Sequence, residues 1–512
     1  MARGRRRREG GRRSAESIQQ LPWTSIKNDY APLEIARPEH VEGIHDASMT
    51  ILEELGIEVM NAEALSLLDA AGAEVDHASG LVRLDRGLVE EVLASVPDRV
   101  TLTPRNPDHE IRLGDGYLNF SLVAGPPNVH DRIQGRRNGN YDDYCNLIRL
   151  AQSLNIIHLI GNQPTAPQEL PAATRHLDTY LANLTLSDRV FHATAIGHQR
   201  TLDAIHMTAL ARGVEPEALV DSPSLLTVIN VNSPRRLDDA LTEGLITMAR
   251  WGQPCVITPF TLMGAMTPVT LPAALAQQNA EALLGVVLTQ LVRPGVPVVY
   301  GAFTSNVDMR TGAPAFGTPE NTKANLIAGQ LARRYGLPYR TSNANASNVV
   351  DAQSAYETEM ALWGAVMGGA NLVYHAAGWL EGGLTASFEK VVLDAEMLQG
   401  ISEVLKPVAF EQADFGLDAL REVPPGGHFF GCEHTMERFE TAFYRPLVSD
   451  WQNYENWEAA GSEDATQRAT RIWQQLLAEY QEPPMDVAAR AALDDYVARR
   501  KEDIGRDGLG SE

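Results

Sequence analysis

The sequence predicts an α/β protein built on a (β/α)8 TIM barrel, with an N-terminal α/β extension and a C-terminal helical extension. Three observations predict it. Eight short apolar runs alternate with eight longer helix-like stretches between residues 117 and 405. The runs are apolar almost throughout, as in parallel strands covered on both faces. Turn residues recur where each helix should hand over to the next strand.

Residues 1–36 read as a basic arm and lead-in. Arg3, Arg5, Arg6, Arg7, Arg8, Arg12 and Arg13 crowd together there with Gly4, Gly10 and Gly11, so the arm has nothing to bury. Residues 37–115 read as an α/β cap. A helix is expected over 40–55, because Arg37-Pro38-Glu39 sets a proline and an acid at its start and Gly56 follows its end. Short helices at 62–71 and 88–94 and strands at 100–104 and 111–113 complete the cap.

The barrel is expected over 116–405. Its strands are 118–123, 156–162, 190–196, 225–231, 255–260, 296–303, 338–342 and 371–376. Its helices are 142–154, 172–187, 201–211, 235–250, 271–291, 319–335, 352–367 and 385–405. Strand–helix alternation implies a parallel sheet, and eight units favour a barrel over an open doubly wound sheet. Gly252-Gln-Pro254, Pro294-Gly295 and Gly336-Leu-Pro338 end helices and lead into strands. Those turns belong at the bottom of a barrel, so function belongs in the segments after each strand. Residues 406–512 read as an extension, mostly helical.

Composition narrows the function. The chain has 512 residues, 44% of them hydrophobic, and a formal net charge of -23. That charge disfavours nucleic acid as a partner. Cys145, Cys255 and Cys432 are far apart and form no CxxC pair, which disfavours a disulfide framework. No run approaches the roughly 20 apolar residues of a membrane span, and the start has no secretory apolar region. A cytoplasmic, membrane-free protein is expected, and a homo-oligomer. No GxGxxG or GxxxxGK[ST] pattern appears, which disfavours nucleotide chemistry.

The strand ends are rich in amides, aromatics and small residues. They read Asn162-Gln163, Asn230-Val-Asn232-Ser233, Pro259-Phe260-Thr261, Phe303-Thr304-Ser305-Asn306, Thr341-Ser342-Asn343-Ala344-Asn345 and His375-Ala376-Ala377-Gly378-Trp379. Paired acids for glycoside hydrolysis are not evident. No HExxH or similar spacing appears, and no metal is expected. His428, Cys432 and His434 supply only two imidazoles and a thiol, short of a structural zinc site. Neutral donors and rings suit a small cation of diffuse charge, such as a quaternary ammonium.

The stretch from 296 to 400 carries a family resemblance. It holds Tyr300-Gly301, Asp308-Met-Arg310-Thr-Gly312-Ala-Pro314, Tyr335-Gly336-Leu-Pro338, Asp351-Ala-Gln353 with Glu357, and Ser387-Phe-Glu389 with Asp394 and Glu396. With GGHFFGCEHTMERFETAFYRPLVSDWQNYENW at 426–457, it resembles the trimethylamine methyltransferase family over nearly the whole chain. The resemblance implies a barrel enzyme that works with a corrinoid-carrying partner protein and binds no cofactor tightly itself. Founding members carry pyrrolysine near the end of the seventh strand. Here that region reads Arg340-Thr-Ser-Asn343-Ala-Asn345-Ala-Ser-Asn348, without pyrrolysine. Pyrrolysine-free relatives demethylate quaternary amines such as glycine betaine.

The expected reaction is therefore methyl transfer from a small quaternary amine to cobalt(I) of the partner's corrinoid, a step of one-carbon metabolism. Two alternatives are a methyltransferase with a folate acceptor and a methylated-amine sensor without catalysis. Candidate catalytic residues are His375, Glu381 and Asn345. Candidate substrate contacts are Phe260, Phe303, Tyr374, Trp379, Asn230, Arg340 and Asn343. Each has a structural alternative. The aromatics are equally packing residues, and His375 is equally a hydrogen-bonded wall histidine. Glu381 is equally a helix cap. Arg340 is equally an ion-pair partner of Glu357 or Glu389 within the wall. Asp351 and Gln353 fit a helix cap. Asp308, Arg310 and the turn from Gly312 to Pro314 fit a rigid rim loop.

Overall fold

The computed structural model describes residues 18–507. The stretch from Arg3 to Arg13 lies outside the described residues. At the centre is a curled sheet of eight parallel strands. They are β1 (Tyr117–Leu122), β2 (Leu159–Ile160), β3 (Val190–Phe191), β4 (Thr227–Ile229), β5 (Cys255–Ile257), β6 (Val298–Gly301), β7 (Tyr339–Ser342) and β8 (Leu372–Ala377). Their order across the sheet is β3-β2-β1-β8-β7-β6-β5-β4, so chain neighbours pair. The ends of this order approach each other. His192 and Leu226 form one parallel bridge, and the Ala193 amide donates to the Leu226 carbonyl at 2.9 Å.

Eight helices follow the strands: α1 (Tyr141–Ser153), α2 (Arg175–Leu186), α3 (His198–Arg212), α4 (Asp239–Arg250), α5 (Leu271–Val292), α6 (Pro319–Arg334), α7 (Ala352–Met367) and α8 (Phe388–Val404). Side chains fix several starts. Asn140, Asp238, Thr318 and Ser387 accept amide bonds at the heads of α1, α4, α6 and α8. Asp351 forms a capping box with Ser354 on α7, the expected cap. Gly252 and Gly336 hold φ of 68° and 65° at helix-to-strand turns, which residues with a Cβ seldom adopt.

Two expected helices open as strands instead. Residues 235–250 begin with the strand Arg236–Leu237, which pairs with Ile57–Val59, and α4 starts at Asp239. Residues 385–405 begin with the strand Thr385–Ser387 before α8. Several expected strands are shorter than their apolar runs. Residues 156–162 supply only Leu159–Ile160, and 190–196 only Val190–Phe191.

The core has two parts. A large one lies between the sheet and the helices. A smaller one lies inside the curl and gathers Leu159, Val190, Leu226, Val256, Val299, Leu372 and Tyr374. Each such aliphatic side chain stabilises by about 1.5–3 kcal/mol when fully buried. Val100, Leu102, Ile111 and Leu113 join this inner cluster. They belong to the antiparallel pair Val100–Leu102 and Ile111–Leu113, which seals the end where the strands begin. The opposite end, where the strands finish, carries the polar and aromatic residues. Beyond the sheet, helix Pro38–Thr50 packs on α5, Ala465–Glu479 packs on α8 and α1, and Val487–Asp507 packs on α2 and α3. Among the described residues, no helix is long and apolar enough to cross a membrane.

Candidate active site

Alternation along the strands decides which side chains enter the curl. Val256 and Val299 belong to the inner cluster, so Thr258 and Gly301, two residues on, share their face. Gly301 pairs with Arg340, and Arg340 with Leu372, another inner residue. Arg340 therefore points inward, directly above the apolar floor. Gly301 beside it leaves no alternative, because a Cβ there would collide with Thr258.

Arg340 is 2% exposed. Its guanidinium carbon lies 4.9 Å from the ring centre of Tyr374 and 5.6 Å from that of Phe303. Its Nε and Nη1 are buried without a hydrogen-bond partner among the described residues. The wall ion pair weighed from the sequence is not formed. Glu357 accepts from the Ala346 and Ser347 amides at 2.9 and 3.0 Å. Glu389 accepts from Thr470 and Trp473 at 2.8 and 2.9 Å. Burial pulls the Arg340 pKa down to about 10, so it stays charged at neutral pH.

Strand β8 changes register between Val373 and Ala377. His375 there holds a φ of 54°, a left-handed conformation rare outside glycine and enriched where function demands strain. Such a bulge allows two successive side chains to face one way. Tyr374 and His375 both do so, their rings 4.9 Å apart. Tyr374 bonds to His192, just past β3, across the interior. His375 accepts the Ala124 amide on Nδ1 at 3.2 Å. Its proton therefore sits on Nε2, a free donor.

The rim above is aromatic. Phe260 and Phe303 open two short parallel strands, Phe260–Met263 and Phe303–Val307, beyond β5 and β6. Their rings are 5.0 Å apart. Phe316 joins Phe303 at 5.4 Å. Trp379 lies 6.2 Å from Phe303 and 4.2 Å from His375. Its indole N–H is buried without a partner, which is unusual. Asn343 donates to the Ala376 carbonyl at 3.1 Å and leaves its own carbonyl oxygen unpaired.

Asn345 donates to Thr358 at 3.1 Å. Thr358 also accepts from Lys390 at 2.7 Å. Lys390 pairs with Asp394, and Asp394 accepts the Gly378 amide at 2.8 Å. Lys390 and Asp394 are both fully enclosed. This buried chain ties the loop after β7 to the loop after β8.

The structure thus brings together Phe260, Phe303, Arg340, Asn343, Tyr374, His375 and Trp379, with Asn345 behind them. Asn230 is exposed at the end of β4, on the same face as Val228, two residues earlier, which is half-buried against the inner cluster. Glu381 differs from expectation. Both its oxygens accept from Arg136 Nε at 2.9 Å, which spends the carboxylate on a rim ion pair. Asp308 accepts from Thr311 at 2.7 Å and from the Arg310 amide at 3.0 Å, the rigid rim loop expected. Among the described residues, no His, Cys, Asp and Glu cluster has metal-binding geometry, and all three cysteines are free. Sequence reasoning missed Phe316 and His192. His192 was within reach, because it follows β3 and alternates with the inner Val190.

Burial depresses three histidines on or beside the inner face. His158 falls to about 4, His192 to about 3, and His375 well below the usual 6.5, the last two helped by the charge on Arg340. The unfolded chain takes up these protons below about pH 6.5, whereas the folded one does not. Their stabilising effect is complete above that pH and is lost as pH falls towards 3–4. Between pH 6.5 and pH 5 each should cost roughly 1.5 kcal/mol. Urea unfolding at both pH values checks this, and His192→Gln should remove about a third of the difference.

Residues 2–505 match the profile of the family described as Trimethylamine methyltransferase (MTTB). The chain is 34% identical over 474 residues to the glycine betaine methyltransferase of Desulfitobacterium hafniense (strain Y51), covering 92% of this chain and 98% of that one. It is 26% identical over 467 residues to the trimethylamine methyltransferase MttB of Methanosarcina barkeri (strain Fusaro / DSM 804), covering 89% and 92%. The crystal structure of the Methanosarcina barkeri monomethylamine methyltransferase (MtmB) aligns over 87% of this chain and 93% of that one, at 10% identity and a TM-score of 0.48. The chain is a methyltransferase and belongs to the trimethylamine methyltransferase (MTTB) family.

Proposed function

We propose that this methyltransferase takes a methyl group from a small quaternary amine that also bears a carboxylate, glycine betaine or a close analogue. The acceptor is the cobalt of a corrinoid carried by a partner protein. The curled sheet is taken to close as a (β/α)8 barrel within residues 116–405, in a cytoplasmic enzyme.

One observation carries the choice of substrate: the orphaned guanidinium of Arg340. Enclosing a charge costs several kcal/mol unless an opposite charge meets it. A carboxylate matches the guanidinium fork, with two parallel charge-assisted hydrogen bonds. Trimethylamine has no such group and would leave the cation unpaired. His375 Nε2–H and the Trp379 indole N–H are further donors nearby. A betaine anchored on Arg340 points its ammonium head at Phe260, Phe303, Phe316 and Trp379. Ring faces attract a cation that has no N–H to donate. The 34% relative bears the name of this activity.

The chemistry asks little proton traffic of the site. As a methyl carbon bonds to cobalt(I), the C–N pair stays on nitrogen, and a neutral tertiary amine departs. No general acid is required, and His375 is held neutral. The residues orient the substrate with one methyl facing the rim. Exposed Ile133, Val269, Met309 and Leu384 on the rim loops suit the approach of a protein carrying the acceptor.

An isostere with an uncharged head isolates the ring contribution. Trp379→Ala should weaken glycine betaine binding about 30-fold, for about 2 kcal/mol of desolvated cation–π attraction. 3,3-Dimethylbutyrate, which keeps the shape and carboxylate but not the cation, should bind the wild type about as weakly. Calorimetric titration checks both. Equal affinity of the two ligands for the wild type would remove the rings from substrate recognition. Purified protein offered reduced corrinoid protein or a folate separates the acceptors. Binding without transfer to either would mark a sensor instead.

A further inference from the structure

We propose that residues 406–460 form an arm that docks on a second copy of this chain. Between α8 and the helix Ala465–Glu479, this segment has almost no core of its own. Its buried residues are Ala419, Cys432 and Val448. Its three α-helices, Leu417–Glu422, Glu433–Arg438 and Tyr454–Ala459, have six residues each, far too few to hold without tertiary packing.

The arm nevertheless carries eight aromatic residues that face solvent: Phe410, Phe415, Phe429, Phe430, Phe439, Phe443, Trp451 and Tyr454. Phe430 and Phe443 are 83% and 82% exposed, Phe410 75% and Trp451 71%. At about 200 Å² per ring system, the eight present on the order of 1,000 Å² of aromatic surface. A stable interface takes about 800 Å² from each partner. The arm alone meets that requirement.

The cover must be present whenever the chain is folded, because the segment cannot fold by itself. A second copy is present wherever the chain is made, whereas a different protein is present only if made in step. Exchange about a two-fold axis would bury both arms at once, roughly 2,000 Å² in all. The arm is anchored for such a reach. Glu396 on α8 accepts the Val448 amide at 2.9 Å, and Arg468 donates to the Val448 carbonyl at 2.8 Å. The helices beyond then pack on the chain's own body.

Full-length protein, without other components, should sediment at micromolar concentration as a dimer or a multiple of one. The double substitution Phe430→Asp with Phe443→Asp should shift it to monomer, with helical circular dichroism retained. If that variant fails to fold, hydrogen exchange on the wild type decides. Arm amides should be protected when concentrated and lose protection on dilution. A monomeric wild type, an oligomer whose arm amides exchange freely, or an arm protected only after corrinoid protein is added would each overturn the proposal.

Discussion

Arg340→Met should cut use of a carboxylate-bearing substrate by about two to three orders of magnitude while making the protein more stable. Both effects follow from one geometry. The guanidinium is buried against Tyr374 and Phe303 with Nε and Nη1 unpaired. Replacing an uncompensated buried charge by an apolar side chain of similar length relieves its desolvation, worth about 1–4 kcal/mol. The thermal midpoint should rise by a few degrees. The carboxylate of the proposed substrate, in turn, loses its only cationic partner among the residues assembled here. Truncating one member of a buried charged pair costs about 2–5 kcal/mol, so kcat/KM for glycine betaine should fall about 10²–10³-fold or more. Arg340→Lys keeps the charge but not the fork, and should fall between. Activity and stability lost together would make Arg340 a structural residue.

Lys390→Met should be among the most destabilising single changes in the chain, although Lys390 lies outside the aromatic rim. It would strip Asp394 of its partner at a fully enclosed site. Removing one member of such a pair costs about 3–5 kcal/mol. Burial already raises the Asp394 pKa against the pull of Lys390. Without the lysine, the folded form holds its proton to higher pH than the unfolded form does. The variant should therefore be less destabilised at pH 5 than at pH 8. Chemical denaturation at the two pH values checks the sign. Lys390→Met with Asp394→Leu should recover much of the loss, because no lone charge remains. The loop that carries Asn345 should loosen as well, since Thr358 would lose the ammonium that steadies it.

The eight strands and eight helices were legible because burial on both faces writes itself as continuous apolar runs, and a cap such as Asp351 marks a helix start. Strand ends were less legible. The runs stay apolar after the ladder stops, because the chain is still buried as it turns into the rim. The fate of Arg340 was not legible. Glu357 and Glu389 were suitable partners by charge and position, and only the fold reveals that Glu357 Oε2 turns to two backbone amides and Glu389 Oε1 to a hydroxyl and an indole, while Glu389 Oε2 stays buried and unpaired. The joint inward turn of Tyr374 and His375 depends on a bulge that no residue type announces. Phe316 reaches the aromatic rim from a strand distant from β8 in sequence, so no periodicity ties it to Trp379. Glu381 was legible as a rim residue, but its pairing with Arg136, 245 residues away, was not.

Methyl transfer observed directly is the most decisive measurement. Purified protein and the proposed corrinoid-protein acceptor, reduced to cobalt(I), are mixed with glycine betaine and, separately, with trimethylamine. The expected result is rapid conversion to the methylated corrinoid with glycine betaine, one dimethylglycine formed per methyl moved, and little change with trimethylamine. Conversion with trimethylamine alone, or with neither amine, would contradict the assignment of Arg340 as the anchor of a betaine carboxylate.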